Sequence, residues 1–243
     1  MSQPYCVTIT THEKRFEMFK RTLDQFRSQT SAPIFVSVNG NYDTPMDDAY
    51  RLGVLAECQK YQRVYPSFYG SFRGLAKIWN DQICHSGYND VIVTNDDVNI
   101  LPGFVAEFVK MWFSLNPREC LKVNGAFSTF FINKAYLDTW GYFEEEHFLG
   151  IGWEDMEFVH RTHEYPHMKT NLYDNLTEQT KGDLGTGSVG GKYSRWNRYW
   201  FNNSGPTRNK NFRPFEKYYT QMYPVFWNWE KDRAREDNPK KDV

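Results

Sequence analysis

Residues 91–100 read VIVTNDDVNI, and the reading of this stretch decides the fold. Val91, Ile92 and Val93 form a β-branched run suited to a buried strand, and the run stops where Asn95, Asp96 and Asp97 begin. Two adjacent anions at the rim of a core need a reason. One is structural, because Asp is common in turns and caps and Asp97 could simply lead into a helix begun by Pro102. The other is chemical: a site for a cation or a polar ligand.

Working outward, YCVTITT (5–11) alternates and is β-branched, which predicts a first strand. KRFEMFKRTLDQFRSQ (14–29) carries Phe16, Phe19, Leu23 and Phe26 at three- and four-residue spacing, an amphipathic helix. PIFVSVNGN (33–41) predicts a second strand closing in an Asn-Gly turn, 46–59 a helix, and YQRVYPS (61–67) a short strand. GLAKIWNDQICHSG (74–87) reads as a helix stopped by Gly87, DVIVTNDD (90–97) as the fourth strand, and Pro102 to about Leu115 as another helix. CLKVNGAFSTFFINKAYLDTWG (120–141) predicts one or two strands and a short helix. Strands alternating with helices at this spacing predict an α/β domain with a mostly parallel sheet. Such open sheets bind ligands beyond the carboxyl ends of their strands, which places Thr10, Thr11, Asn39 and Asn95 to Asp97 on one rim. After about residue 165 the pattern dissolves into Gly-rich and aromatic sequence, expected as loops and short helices over that rim. The expected organisation is a core over 1–165, an acceptor-side extension over 166–230 and a charged tail over 231–243, with no internal repeat.

The chain of 243 residues suits one main domain, and 29 Lys and Arg against 30 Asp and Glu leave a net charge of -1. Bulk electrostatics therefore predict no polyanion or membrane partner. Locally the balance differs: 190–217 holds Lys192, Arg195, Arg198, Arg208, Lys210, Arg213 and Lys217 against Glu216 alone. Aromatic residues make up 18% and gather late, as in YSRWNRYW (193–200), which is either core and edge packing or a surface for stacking sugars or bases. Cys6, Cys58, Cys84 and Cys120 are far apart, without metal-ligand spacing, and are expected to be reduced core thiols. Neither a leader peptide nor a run of about 18 apolar residues is present, so a cytoplasmic protein without membrane insertion is expected. Asn175-Leu-Thr177 and Asn202-Asn-Ser204 match the glycosylation pattern but carry no meaning without secretion.

A second acidic element is FLGIGWEDMEFVHR (148–161), where Glu154 and Asp155 follow a Gly-rich approach and enter an apolar helix. Acids also favour the first turn of any helix through the macrodipole. Together the two elements suggest more. A hard cation such as Mg2+ or Mn2+ takes one or two carboxylates plus phosphate oxygens, and a separate carboxylate can accept a proton from an acceptor hydroxyl.

The order of these elements resembles a glycosyltransferase of the GT-A fold, a Rossmann-like architecture, especially family 2 and its viral and bacteriophage relatives. The correspondence runs from Tyr5 to about Arg161. TITTHEKR (8–15) resembles the first strand and the Arg that follows it in the donor site, here Arg15. GLAKIWN (74–80) resembles the helix that ends in an Arg-Asn pair, with Asn80 kept and Trp79 in the Arg position. TNDDV (94–98) resembles the DxD element, which implies Asn95 and Asp96 near the ribose and diphosphate and Asp97 as the carboxylate on the metal. Gly141, Phe143, Glu144 and Glu145 resemble the Gly-Phe-Asp-Glu turn before the Glu-Asp pair, with Glu144 in the Asp position. By that similarity Asp155 is the general base, and Glu154 and Trp153 line the acceptor. Two departures stand out: Asn95 replaces a first Asp, and Asn39 stands where an Asp usually reads the base or ribose. Some GT-A enzymes add a late His to the metal, for which His160, His163 and His167 are the candidates beside ordinary surface roles.

The resemblance implies a metal-assisted, inverting hexosyl- or pentosyltransferase that uses a nucleotide diphosphate sugar and Mn2+ or Mg2+. The segment with Arg195, Trp196 and Arg198 is compatible with a glycan or protein-linked sugar acceptor, with hydroxymethylated bases of duplex phage DNA, or with a solvated face. Two other classes compete. A nucleotidyltransferase would normally carry a Gly-rich, Lys-containing loop after the first strand, and TTHEKRF has no glycine. A non-catalytic nucleotide- or carbohydrate-binding module is the other.

Overall fold

The computed structural model describes residues 4–41, 44–145 and 154–176. Trp153, Arg195, Trp196 and Arg198, with the rest of the expected acceptor-side extension and tail beyond 176, lie outside them. The described residues fall into two compact units: those within Met1–Arg73, Ile78–Tyr142 and Tyr165–Leu184, and those within Gly74–Lys77 and Phe143–Glu164.

The first unit is built on β1 (Tyr5–His12), β2 (Ile34–Asn39), β3 (Val64–Phe68), β4 (Asp90–Asn95), β6 (Cys120–Val123), β7 (Ala126–Asn133) and β8 (His167–Met168). These pair in the order β3-β2-β1-β4-β7-β6-β8. Within this sheet β7 alone runs antiparallel to its neighbours, so the sheet is mostly parallel as the strand–helix alternation requires. Between the strands run α1 (Phe16–Arg27), α2 (Asp48–Gln59), α3 (Leu75–His85), α4 (Phe104–Ser114) and α5 (Lys134–Trp140). Strands β5 (Val98–Ile100) and β9 (Tyr173–Asn175) form a separate antiparallel pair.

Side-chain alternation along β7 shows how the sheet is covered on both faces. Phe131 stacks on Trp112 of α4 with centroids 4.6 Å apart, whereas its neighbour Phe130 meets Trp79 of α3 edge-on at 5.1 Å. The α4 side continues into Phe19, Leu23 and Phe26 of α1 and Val7, Ile9, Val36 and Val38 of the central strands, all fully buried. Trp79 is therefore a core residue, which explains a large aromatic in the position where the family resemblance expects a cation.

Two expectations need correction. Cys6, Cys58 and Cys120 are buried as expected, but Cys84 is exposed, because it falls on the outer side of α3. The region after 165 begins with β8 and β9 rather than loops alone. Strands of two or three residues carry no readable periodicity; they exist because β6 and β5 offer them unpaired backbone groups.

Phe131 touches Tyr5, Phe108 and Trp112 at once. Phe131→Ala is expected to destabilise the protein by about 3–5 kcal/mol, read as a lower urea midpoint at unchanged slope.

Candidate active site

The site is built where β1 and β4 end side by side, with Thr10 in register with Asn95. Beyond β1 the chain makes a single 3-10 turn, Glu13–Arg15, before α1 begins. That turn brings Arg15 over the end of β4. Its Nη1 donates to Asp96 Oδ1 at 2.8 Å and to Asp97 Oδ2 at 3.1 Å, with the three side chains 12%, 1% and 5% exposed. The guanidinium thus answers part of the charge of two carboxylates that have lost most of their water.

The backbone of the acidic turn is held as well. Thr22, buried on α1, donates its hydroxyl to the Asp96 carbonyl at 2.9 Å and lies 3.2 Å from that of Val98. From the far end of the described chain, Leu176 N donates to the Asp97 carbonyl at 2.8 Å. Burial lifts the Asp96 carboxyl from its ordinary 3.8 to about 6; Arg15 pulls it down and Asp97 pushes it up.

Around this pair, buried polar atoms without a hydrogen-bond partner gather: Thr11 Oγ1, Arg15 Nε, Tyr50 OH, Asn95 Oδ1, Asp96 Oδ2 and Tyr173 OH. Such atoms are rare in folded proteins and mark a place that a ligand, ion or water completes. The Thr11 hydroxyl lies near enough to Asp96 and Tyr50 to ease the ionisation of both, though at hydrogen-bond geometry to neither. Tyr173, from β9, is held well above the usual phenol range by burial, with Thr129 and Ser128 lowering it and Asp97 raising it. Sequence reading missed Tyr50, Thr22 and Tyr173. Tyr50 and Thr22 look like ordinary helix residues, and Tyr173 is 76 positions from Asp97 in a segment without pattern.

Of the other expected donor residues, Thr10 and Asn39 lie at the same sheet end with their polar groups engaged. Thr10 Oγ1 approaches Gln82 Oε1 at 3.4 Å, while Asn80 is buried on α3. The Asn39 amide is used at both ends by Arg73: Nδ2 donates to its carbonyl and Oδ1 accepts from its N–H, each at 2.9 Å. Asn39 therefore clamps the loop after β3 onto the end of β2. Gly40 is needed there for close approach rather than for a turn, since a Cβ would sit 2.4 Å from the Ser71 carbonyl carbon.

The second unit carries the other acidic element. Glu154 and Asp155 open α6 (Glu154–Arg161), with Glu154 buried and Asp155 half-buried and accepting from Met156 N at 2.9 Å. Phe143 packs on Phe158 at 4.3 Å, and Arg161 pairs with Glu157 at 2.9 Å.

A divalent cation of the Mn2+ or Mg2+ type takes one or two carboxylates and completes its shell with water and phosphate oxygens. Asp96 and Asp97 fit that need, and the buried, unpartnered Asp96 Oδ2 is an available donor atom. Among the described residues no group of three or more His, Cys, Asp or Glu side chains could hold a metal, His160, His163 and His167 included.

The fold has solved counterparts. The mannosyltransferase PcManGT from Pyrobaculum calidifontis, in complex with GDP-Man and Mn2+, is similar at a TM-score of 0.54 and 12% identity over 94% of this chain and 78% of that one. Staphylococcus aureus TarS 1-349 is similar at 0.51 and 14% identity over 69% of this chain and 59% of that one. The same TarS fragment in complex with UDP-GlcNAc gives 0.50 and 12% identity over 71% and 60%. At these identities the likeness is one of fold: a GT-A-like α/β architecture with a mostly parallel sheet. No protein-family model and no curated protein sequence matches the chain. Also among the described residues, no helix is long and apolar enough to cross a membrane.

Because the folded Asp96 carboxyl holds its proton more tightly than an unfolded one, its contribution to stability is complete below pH 3.8 and is lost as pH rises through about 6. A difference of that size is worth roughly 3 kcal/mol. Asp96→Asn is expected to melt higher than wild type at pH 7.5, with the advantage vanishing below pH 4, in thermal unfolding across that range.

Proposed function

We propose that the chain is a glycosyltransferase that moves a sugar from a nucleotide diphosphate sugar to an acceptor hydroxyl. The observation that carries this reading is the buried Asp96–Asp97 pair at the carboxyl end of β4, bridged by Arg15 and ringed by unpartnered polar atoms. The GDP-Man and Mn2+ of PcManGT and the UDP-GlcNAc of TarS support a nucleotide-sugar donor and a divalent cation.

In this reading Thr10, Thr11, Asn80, Asn95 and Asp96 face the nucleotide and diphosphate, and Asn39 shapes the donor pocket through the loop it clamps. Asp97, with Asp96, would hold Mn2+ or Mg2+, whose positive charge neutralises the departing diphosphate. Asp155 takes the proton of the acceptor hydroxyl while its oxygen attacks the anomeric carbon and the bond to the diphosphate breaks. Attack from the face opposite the leaving group inverts the anomeric centre, which rests on the resemblance to family 2. Glu154 and Trp153 line the acceptor. Arg195, Trp196 and Arg198 hold it: a glycan or protein-linked sugar, or the hydroxymethylated bases of duplex phage DNA in a viral setting. A gel shift with duplex DNA separates the two; a steep salt dependence supports DNA, and no binding at low salt removes it.

Asp97→Ala and Asp155→Ala are each expected to lower transfer by about a hundredfold or more while the melting temperature stays near that of wild type. Full transfer by the Asp155 variant would remove the base assignment. In a thermal-shift series of UDP, GDP and their sugars with Mn2+, at least one should raise the melting temperature, since a ligand at 100 times its Kd adds about 2.7 kcal/mol. If none does, the donor site is misassigned.

A further inference from the structure

We propose that Arg15 is a resident counter-cation that keeps divalent metal off Asp96 and Asp97 until a nucleotide diphosphate draws it away, so that metal binds with the nucleotide and poorly without it. The inference rests on the reading of this rim as the donor site.

One nitrogen, Arg15 Nη1, spans both carboxylates, and it takes Asp96 Oδ1 and Asp97 Oδ2, one oxygen from each. The position between the two acids that a small dication would favour is therefore already claimed by a cation of the chain itself. Adding a doubly charged ion beside the guanidinium would set like charges against each other within a rim where the carboxylates are almost fully shielded from water. Repulsion between like charges is strongest in such a desolvated setting. The metal alone thus meets a site that is both partly filled and electrostatically opposed.

A diphosphate changes the balance in two ways. It brings further negative charge, and it offers the guanidinium paired oxygens in the geometry that Arg binds best. Arg15 is suited to the exchange. It caps α1 without any side-chain hydrogen bond to the helix, and its buried Nε has no partner, so its attachment to the rim is through the carboxylates. Moving the side chain to phosphate exchanges one charge-assisted contact for another, and it releases the Asp96 and Asp97 oxygens to a cation arriving with the nucleotide. Asp96 Oδ2, buried and unpartnered, stands ready for that cation. In the free protein the arginine offsets part of the cost of burying these two charges.

The test is Mn2+ binding by the full chain, followed by electron paramagnetic resonance of free Mn2+ and by titration calorimetry, with no nucleotide and with saturating UDP or GDP. In wild type the nucleotide should tighten Mn2+ by about tenfold or more, a usual size for coupling between two ligands. In Arg15→Gln, Mn2+ alone should bind about tenfold tighter than in wild type, and the coupling to nucleotide should shrink by a similar factor. Arg15→Lys keeps a positive charge and should stay near wild type, and it reports on the same question if Arg15→Gln does not fold. Equal affinity of wild type and Arg15→Gln for Mn2+ alone, or tight nucleotide-free binding by wild type, overturns the inference; so does loss of the weak Mn2+ binding in Arg15→Lys in favour of tight binding. If neither UDP nor GDP binds in any condition, the donor reading fails, while the comparison with Mn2+ alone still judges Arg15.

Discussion

The site in the first unit depends on how β4 ends. Two consecutive carboxylates are carried into a rim where neither keeps its water, an arrangement that costs several kcal/mol per uncompensated ion. Among the described residues it is held by the Arg15 guanidinium on the side chains and by hydrogen bonds on the backbone, from Thr22 to the Asp96 carbonyl and from Leu176 to that of Asp97. These contacts come from three places: the turn after β1, the middle of α1 and the segment after β9. The sheet order makes this possible, because β1 and β4 are neighbours and the turn leaving β1 opens directly over the acidic pair.

The balance at this rim favours binding over stability. A buried Asp96 whose carboxyl is lifted to about 6 weakens the folded state at neutral pH, and six buried polar atoms nearby find no partner among the described protein groups. Elsewhere in the unit, the packing of Phe131 on Trp112 and of α1 on the central strands is apolar and closely fitted. A polar patch with open hydrogen-bonding atoms on a well-packed scaffold fits the proposed donor site, since a ligand would supply the contacts that the chain leaves open. That Asn39 and Gly40 spend their chemistry on seating the loop after β3 belongs to the same design: a mobile loop at the rim would blur the site.

Much of this was legible from residue order. The β-branched runs, the apolar spacing of α1 and the glycine and proline stops mark β1 to β4 and α1 to α4 within a few residues, because those elements are long enough to show a period. Thr11, Asp96 and Asp97 could be placed on one rim from the rule for parallel sheets, whereas Arg15 was indicated only by the family resemblance. Tyr50, Thr22 and Tyr173 could not: a single polar residue on an amphipathic helix, or a tyrosine in an irregular segment, has no local signal for the partner it meets across the fold. Trp79 shows the reverse, since the position suggested a site residue and its side chain went to the core against Phe130.

By itself, the sequence determined that this is an alternating strand–helix chain with an acidic pair at the end of its fourth strand, because periodicity and β-propensity are local properties that survive without the fold. Only the tertiary structure decided what the pair is attached to. Whether two carboxylates are solvated caps or a buried, arginine-bridged couple depends on burial and on groups up to 82 positions away, such as Arg15 from Asp97. Those are properties of the packed sheet, and no stretch of sequence contains them.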